Sequence, residues 1–208
     1  MSSPDKFVLR STVTSPFGRK VRMAIDVLGL GGQIKVLPAD PLDENDTLRQ
    51  QNPLGKMPCL VLADGSTIYD SGIIIEYLQD VAGTDRLLPL KGSSRYRALT
   101  LSRLADGIMD ASILVVYENR FRPDAATHSP RWLAHQRGKI TRGLTVFEKA
   151  PPDPKKSNMV TIGLSCALGY LDWRKQVDWR PAYPGLVAWL NNFSENEPAF
   201  ERTRAPDA

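Results

Sequence analysis

The chain has 208 residues, of which 42% are hydrophobic and 24% charged, a composition that is typical of a globular protein and excludes a disordered chain. Its length allows one large domain or two small ones. The 27 basic residues exceed the 23 acidic ones by a net charge of +4, and they are scattered along the sequence. We therefore expect no nucleic-acid binding, while the mild positive charge suits a small anionic ligand.

The cysteines and histidines point to a protein without disulfides or metal. Cys59 and Cys166 are too few for a disulfide framework, so we expect a reducing compartment and a cytoplasmic location. With these two distant cysteines, His128 and His135 do not make a four-ligand zinc site. We also expect neither a signal peptide nor a membrane span, because the start of the chain and its apolar runs fit neither.

The first part of the chain, up to about residue 85, alternates between strand and helix patterns. An apolar stripe predicts a helix from Phe17 that Gly29 ends, and a second helix begins at Ser71. The pair Asp64-Gly65 is typical of a tight hairpin. The predicted strands are short apolar runs at 7–10, 34–37, 59–62 and 67–69. This order predicts a mixed four-stranded sheet with helices packed on it.

From Arg95 onward the strand signal disappears and apolar residues recur at helical spacing. The predicted helical stretches are 95–117, 132–149, 160–173 and 186–193. The third is the most apolar, so we place it at the centre of a second domain. The sequence thus predicts a first domain at 1–86, a linker at 87–93 and an all-helical domain at 94–208.

A first motif, Thr14-Ser15-Pro16-Phe17, stands at the start of the first predicted helix. Ser15 is a favoured N-cap, and Pro16 is a favoured first helical residue. The hydroxyls of Thr14 and Ser15 therefore lie where the positive helix end stabilises an anion. One such hydrogen bond to a thiolate contributes about 1.5–3 kcal/mol, which lowers the thiol pKa by about one to two units. A plain helix cap explains the same residues.

Two further motifs suit parts of a peptide ligand. In Lys56-Met57-Pro58, a cis bond before Pro58 would free the Met57 backbone for strand-like pairing with an extended peptide. At Asp70-Ser71, an N-cap hydroxyl and helix N–H groups can hold a carboxylate while Asp70 attracts an ammonium group. An ordinary proline-containing loop and an ordinary helix cap are the respective alternatives.

The order of these three motifs on a β-α-β-β-β-α pattern, followed by a helical domain, resembles the glutathione S-transferase superfamily over nearly the whole chain. The segments 104–111 and 166–174 resemble a bacterial, serine-type subgroup. The resemblance implies an α/β thioredoxin-like N-terminal domain, an all-α C-terminal domain, a homodimer, and glutathione as the cofactor.

The resemblance also implies roles at the start of the first helix and before the third strand. Ser15 would hold the glutathione thiolate; a second alignment gives this role to Thr14, and we favour Ser15. Because omega-like relatives have a cysteine at this point, the serine disfavours mixed-disulfide chemistry. Met57, ahead of a cis Pro58, resembles the backbone partner of the cysteinyl unit, and Lys56 is expected to reach the glycine carboxylate.

Two other features of the chain depart from the family pattern. Asp70 and Ser71 resemble the γ-glutamyl site, where many relatives have the longer glutamate. The central helix of the second domain usually starts with a capping box that ends in aspartate, whereas this chain has Thr161 three residues after Asn158. We expect this helix start to be weaker by about 1 kcal/mol or less.

The site for the second substrate is predicted on the long helix, at Ile108, Ser112, Tyr117 and Arg120. Tyr117 and Arg120 could polarise a substrate oxygen. Core packing or a place on the helix surface is the alternative for each of the four.

The leading hypothesis is a detoxifying glutathione transferase that activates the thiolate for attack on a small hydrophobic electrophile. A glutathione-dependent isomerase or dehalogenase is one alternative. A non-catalytic binding or interaction module on the same fold is another, because a fold does not determine a function.

Overall fold

The structure is a computed structural model that describes residues 6–206. These divide into two units: one contains the chain up to Leu90 together with Ala199–Pro206, and the other is Lys91–Pro198. The prediction assigned all of 94–208 to the helical domain, so its last segment is corrected here; residues 1–5 and 207–208 of the predicted domains lie outside the described residues. Within 6–206, no helix combines the length and apolar character needed to cross a membrane.

The first unit is built on a mixed four-stranded sheet, as predicted, with the strand order β2-β1-β3-β4. The strands are β1 (Phe7–Arg10), β2 (Ile34–Leu37), β3 (Cys59–Val61) and β4 (Thr67–Tyr69). β1 runs parallel to β2 and antiparallel to β3, and β3 and β4 form an antiparallel hairpin. β3 ends one residue before its predicted end.

Three helices of this unit follow in chain order: α1 (Pro16–Leu28), α2 (Leu48–Gln51) and α3 (Ser71–Val81). α1 ends where Gly29 adopts a φ of 70°, a left-handed conformation that costs glycine little. α1 and α3 pack against each other. Their buried side chains include Val21 and Ile74, each 0% exposed. Burial of such a side chain stabilises the fold by about 1.5–3 kcal/mol.

The second unit consists of helices: α4 (Gly92–Phe121), α5 (Pro130–Lys149), α6 (Met159–Arg174) and α7 (Pro184–Asn196). Each begins one to three residues before its predicted start, because caps and prolines rather than apolar residues build several of the first turns. α4 packs against both α5 and α6. α6 is buried almost all round, which agrees with the central place predicted for it.

The start of α6 carries a closed capping box. The Asn158 side chain accepts hydrogen bonds from the N–H groups of Val160 (2.9 Å) and Thr161 (3.1 Å). In return, Thr161 Oγ1 accepts a bond from the Asn158 N–H at 2.9 Å. In the family pattern a carboxylate accepts the hydrogen bond from the N-cap N–H. In this chain the Thr161 hydroxyl accepts that bond instead. The predicted weakening of the helix start therefore depends only on how much less a hydroxyl acceptor stabilises it than a carboxylate would.

The last helix, α8 (Ala199–Arg202), packs against α1. Arg19 Nη2 donates to the Phe200 carbonyl at 2.6 Å, and its guanidinium lies 4.2 Å from the Phe200 ring centre. Arg202 also forms an ion pair with Asp26 at 3.1 Å. These contacts are the physical reason that the segment 199–206 joins the first unit.

Gly143 on α5 allows the close approach of α4. A Cβ atom there would lie 2.6 Å from Ile108 Cγ1 and 2.8 Å from its Cδ1, well inside van der Waals contact. We expect Gly143→Ala to lower the free energy of unfolding by about 1–3 kcal/mol, as at other overpacked sites. Chemical denaturation of the purified chain measures this change.

Gly138 on the same helix is the matched control. A Cβ there would meet only the end of the flexible Arg142 side chain, with its nearest atom at 3.1 Å. Gly138→Ala should raise the unfolding free energy by about 0.5–1 kcal/mol, since alanine is the better helix former. Equal effects of the two substitutions would disprove the close-packing explanation.

Candidate functional site

The backbone pairing of the sheet brings the three sequence motifs to one end of it. Arg10 pairs with Cys59 across β1 and β3, and Cys59 pairs with Tyr69 across β3 and β4. These residues form one row, and each motif is attached to it: residues 11–15 follow β1, residues 56–58 precede β3, and residues 70–71 follow β4. The segments that carry the predicted glutathione-site residues therefore leave the sheet at the same end.

Ser15 is the N-cap of α1 and Pro16 its first residue, as predicted. The Ser15 hydroxyl oxygen accepts a hydrogen bond from the Gly18 N–H at 3.1 Å. Because the hydroxyl acts there as an acceptor, its own proton remains available to another acceptor. Among the described residues, the Phe17 N–H has no hydrogen-bond acceptor. A hydroxyl donor and an amide donor thus stand together at the positive end of the helix.

Thr14 is in a different position. It is exposed, and its Oγ1 lies 2.9 Å from Thr12 Oγ1, with either atom able to donate. When Thr14 donates to Thr12, it has no proton left for a ligand. This arrangement favours Ser15 over Thr14 as a donor to an anion.

The loop before β3 is held by Asn52. This residue is 2% exposed, and its Nδ2 donates to the Lys56 carbonyl at 2.8 Å. The Asn52 Oδ1 accepts a bond from the Leu54 N–H at 3.1 Å, and the Asn52 carbonyl accepts one from the Gly55 N–H at 2.8 Å. The bond between Met57 and Pro58 is cis, as predicted. Asn52 thereby fixes the backbone directly ahead of Met57, while the Lys56 side chain is exposed.

A buried arginine supports this end of the sheet from within. Arg10 is 8% exposed, and its guanidinium donates to four residues of the chain after β2. The acceptors are Thr47 Oγ1 (2.7 Å), Gln51 Oε1 (2.8 Å), Asp46 Oδ1 (2.7 Å) and the Pro38 carbonyl (3.1 and 3.3 Å). These bonds use all five guanidinium N–H groups. Arg10 was not among the predicted site residues, because an arginine at the end of a strand gives no signal of a distant partner.

Asp46 is the anionic partner in this network. Hydrogen bonds from the Asp40 N–H, the Leu48 N–H and Arg10 outweigh burial and hold the pKa of Asp46 below its usual value. Because the pKa is lower in the folded chain, the resulting stability is present at neutral pH. It is lost as the pH falls through the lowered pKa.

Cys59 lies beside the site but is not reactive. It is 0% exposed, and its thiol donates to the Gln51 carbonyl at 3.7 Å. Burial raises the pKa of the Cys59 thiol, and the charge of Arg10 only partly opposes this. A buried, protonated thiol is a poor nucleophile. Its role is to pack with Ala39 and Leu48, against which Met57 lies.

The structure corrects the prediction for the start of α3. Asp70, not Ser71, is the N-cap: its Oδ1 accepts bonds from the N–H groups of Gly72 (2.8 Å) and Ile73 (3.3 Å). Asp70 has a φ of 72°, a conformation that costs a non-glycine residue about 1–3 kcal/mol and is frequent at functional sites. Ser71 is the first helical residue and 4% exposed. Its hydroxyl has no hydrogen-bond partner within residues 6–206.

The residues predicted for the second substrate lie in two environments of the helical unit. Ile108 and Ser112 are 1% and 3% exposed, and Ser112 Oγ donates to the Ile108 carbonyl at 2.7 Å. Tyr117 is 37% exposed, and the Arg120 guanidinium lies 5.6 Å from its ring centre. The first pair is placed as the core-packing alternative expects. The roles of Tyr117 and Arg120 stay predictions.

Comparison with known proteins supplies the family context. Residues 14–81 match the model of the glutathione S-transferase N-terminal domain. The chain is 37% identical over 205 residues to the "uncharacterized GST-like protein YibF" of Escherichia coli (strain K12), an alignment that covers 96% of this chain and 99% of that protein.

Solved structures agree with this match. A glutathione transferase family member from Pseudomonas fluorescens Pf-5, with bound glutathione, is 38% identical with a TM-score of 0.90, over 96% of this chain and 99% of that one. A second structure from the same source, with bound S-(propanoic acid)-glutathione, is 37% identical with a TM-score of 0.85, over 96% and 100% of the two chains. The predicted fold class, a thioredoxin-like domain followed by an all-helical one, is confirmed.

The Asn52 side chain is expected to stabilise the loop ahead of Met57. Asn52→Ala removes two side-chain hydrogen bonds and leaves the Lys56 carbonyl and the Leu54 N–H without these partners. We expect the free energy of unfolding to fall by about 1–3 kcal/mol, and amide hydrogen exchange at Leu54 and Gly55 to accelerate. Denaturation and exchange measurements test both effects.

Asn45 provides the matched control for this substitution. It is exposed, and its side-chain amide donates only to Asp43, at 3.3 Å. Asn45→Ala should change the stability by no more than about 0.5 kcal/mol. If the Asn45 and Asn52 variants were equally stable, Asn52 would not hold the loop.

Proposed function

Because the chain belongs to the glutathione S-transferase superfamily, we propose that it binds glutathione where its three motifs meet and activates the glutathione thiol. The activated thiolate would then attack a small electrophile. One observation carries this proposal: the Ser15 hydroxyl caps α1 with its oxygen and retains its proton for an anion. Similarity over 96% of the chain to a glutathione transferase family member solved with bound glutathione supports it.

Glutathione has three groups that the site residues can recognise. Its cysteinyl unit is an extended peptide that would pair with the Met57 backbone ahead of Pro58. Its glycine carboxylate would be within reach of the exposed Lys56 ammonium group. The bonds from Asn52 support this assignment, since they fix the backbone that both residues share.

The γ-glutamyl unit of glutathione carries an α-carboxylate and an α-ammonium. We assign the carboxylate to the Ser71 hydroxyl and the first turn of α3, whose positive end favours an anion. We assign the ammonium to Asp70. Although Asp70 Oδ1 caps the helix, a carboxylate has about four acceptor sites and can receive further donors.

Activation follows from the stabilisation of the thiolate. A free thiol has a pKa of about 8.5 and is mostly protonated at neutral pH. A hydroxyl hydrogen bond worth about 1.5–3 kcal/mol lowers this pKa by about one to two units, so that a large share of the bound thiol is ionised. The thiolate sulfur forms a bond to the electrophilic carbon, and the leaving group departs with its electron pair. Glutathione is consumed in this step, so it is a substrate and not a cofactor.

The product of such an attack is a thioether of glutathione. One relative was solved with S-(propanoic acid)-glutathione, in which the sulfur carries an organic group. This supports conjugation as the reaction type. For the second substrate, we assign Tyr117 and Arg120 to polarising a substrate oxygen, and the buried Ile108 and Ser112 to core packing of α4. A cytoplasmic homodimer with a role in detoxification completes the proposal.

Loss of the Ser15 hydroxyl should raise the pKa of the bound thiol. We expect Ser15→Ala to slow conjugation at least tenfold and to raise that pKa by about one to two units. Ser15→Gly, which keeps most of the capping stability, should behave in the same way. The measurement is the ultraviolet absorbance of the thiolate during a pH titration of the glutathione complex, together with the pH–rate profile.

Thr14→Val is the matched control, and it should leave both the pKa and the rate unchanged. An unchanged profile in the Ser15 variants with a shifted one in Thr14→Val would move the role to Thr14. Glutathione binding without a lowered thiol pKa in the unmodified chain would favour a non-catalytic binding module. No binding at all would reject the glutathione site.

The charge of Asp70 should matter for binding more than for the bound complex. Asp70→Asn keeps a side chain that caps helices but removes the charge that attracts the ammonium. We expect the Kd for glutathione, measured by calorimetry, to rise at least tenfold, with less than a threefold loss in the rate at saturating glutathione. A comparable loss in the saturated rate would contradict this assignment.

A further inference from the structure

A group of aromatic and arginine side chains lies at the C-terminal ends of α4 and α6. On each helix the members are spaced three and four residues apart, so they share one helix face. We call this group the aromatic–arginine cluster; it consists of Tyr117, Arg120 and Phe121 on α4 and Tyr170, Trp173 and Arg174 on α6. Tyr117 and Arg120 were predicted from the sequence as substrate-site residues, whereas the members on α6 were not.

The ends of the two helices are connected. Asn119 Nδ2, in the last turn of α4, donates to Gln176 Oε1, directly after α6, at 2.8 Å. Within α4, the rings of Tyr117 and Phe121 meet edge to face with their centres 5.3 Å apart. Within α6, the Arg174 guanidinium lies 3.8 Å from the Trp173 ring centre. Each helix therefore contributes one arginine that is placed against an aromatic ring.

The Tyr170 hydroxyl accepts a hydrogen bond from Arg174, one turn further along α6. Burial raises the pKa of Tyr170, while Arg174 lowers it through charge and a hydrogen bond. Tyr117 and Arg120 on α4 also act on this pKa through their charges. Because α4 and α6 pack against each other and the Asn119–Gln176 bond joins their ends, both tyrosines and both arginines lie at the same end of this helix pair.

The positive charge of the cluster is not neutralised. Among residues 6–206, neither Arg120 nor Arg174 forms an ion pair with a carboxylate. The nearby acidic residues have other partners: Glu118 binds Arg122 at 2.7 Å, and Asp172 binds Arg180 at 2.7 Å. The Nε of Arg174 is buried, and within the described part of the chain it has no hydrogen-bond partner.

We propose that the aromatic–arginine cluster binds a small aromatic carboxylate. A guanidinium that lies against a ring keeps its N–H edge for a carboxylate, which matches the planar fork in size and charge. Tyr117 and Phe121, 37% and 55% exposed, offer ring surface to an aromatic ligand.

The competing explanation is structural. Arg120 and Arg174 both stand in the last turn of a helix, where a cation interacts favourably with the helix dipole. That explanation predicts no ligand. It is separated from the proposal by titrations that need neither glutathione nor turnover.

The experiment is a calorimetric titration of the full chain with benzoate, and with benzamide as the uncharged analogue of the same shape. We expect benzoate to bind at least tenfold more tightly, as a charge-assisted hydrogen bond requires. Arg120→Gln and Arg174→Gln should each weaken benzoate binding at least fivefold and leave benzamide unchanged. Arg137→Gln, at an exposed arginine of α5, is the control and should change neither affinity.

Arg120 is exposed, so its glutamine variant is expected to fold even if the Arg174 variant does not. Equal binding of benzoate and benzamide, or no binding of either, would overturn the proposal. So would benzoate affinity that is unchanged in the Arg120 variant, or displacement of benzoate by an equal concentration of inorganic sulfate. Because glutathione is absent, these results leave the assignments of Ser15 and Asp70 to their own tests.

Discussion

The row of paired residues Arg10, Cys59 and Tyr69 determines where the candidate site lies. Because β1 and β3 are antiparallel, the end of one strand meets the start of the other, and the hairpin then adds the end of β4. Segments that are distant in sequence thus emerge from the sheet side by side. The bonds of Arg10 to the chain after β2 stabilise this end from below. The sheet register therefore determines which segments come together at the site, and the side chains determine what those segments can bind.

Local hydrogen bonding then decides what each motif can do. At α1 the Ser15 hydroxyl caps the helix as an acceptor, through its oxygen, and can still donate its proton. Capping therefore does not prevent Ser15 from binding an anion. At α3 the two functions fall on neighbouring residues: Asp70 caps the helix, and Ser71 keeps its hydroxyl. Capping the helix and offering a hydroxyl donor are thus combined in Ser15 at α1 but divided between Asp70 and Ser71 at α3.

The sequence predicted the features that depend on short-range chemistry. Pro16 after Ser15, Gly29 after an apolar stripe, and Asp64-Gly65 each require a local backbone conformation, and the corresponding elements were found. The bonds of Arg10 were not predictable, because tertiary structure brings their partners from 28 to 41 residues away. The bonds of Thr161 and Asn52 are local, but they depend on a backbone geometry that the residue types alone do not specify. The four-residue helices α2 and α8 are too short for an apolar period to appear.

The attachment of α8 to α1 has a consequence for the order of folding during synthesis. The Phe200 carbonyl and ring that receive Arg19 are translated only after the whole helical unit has been made. Until then, the ribosome-bound chain has a first unit whose Arg19 lacks these contacts. The helical unit is thus an insertion within the first one, and the thioredoxin-like part of the nascent polypeptide is completed last although it is begun first.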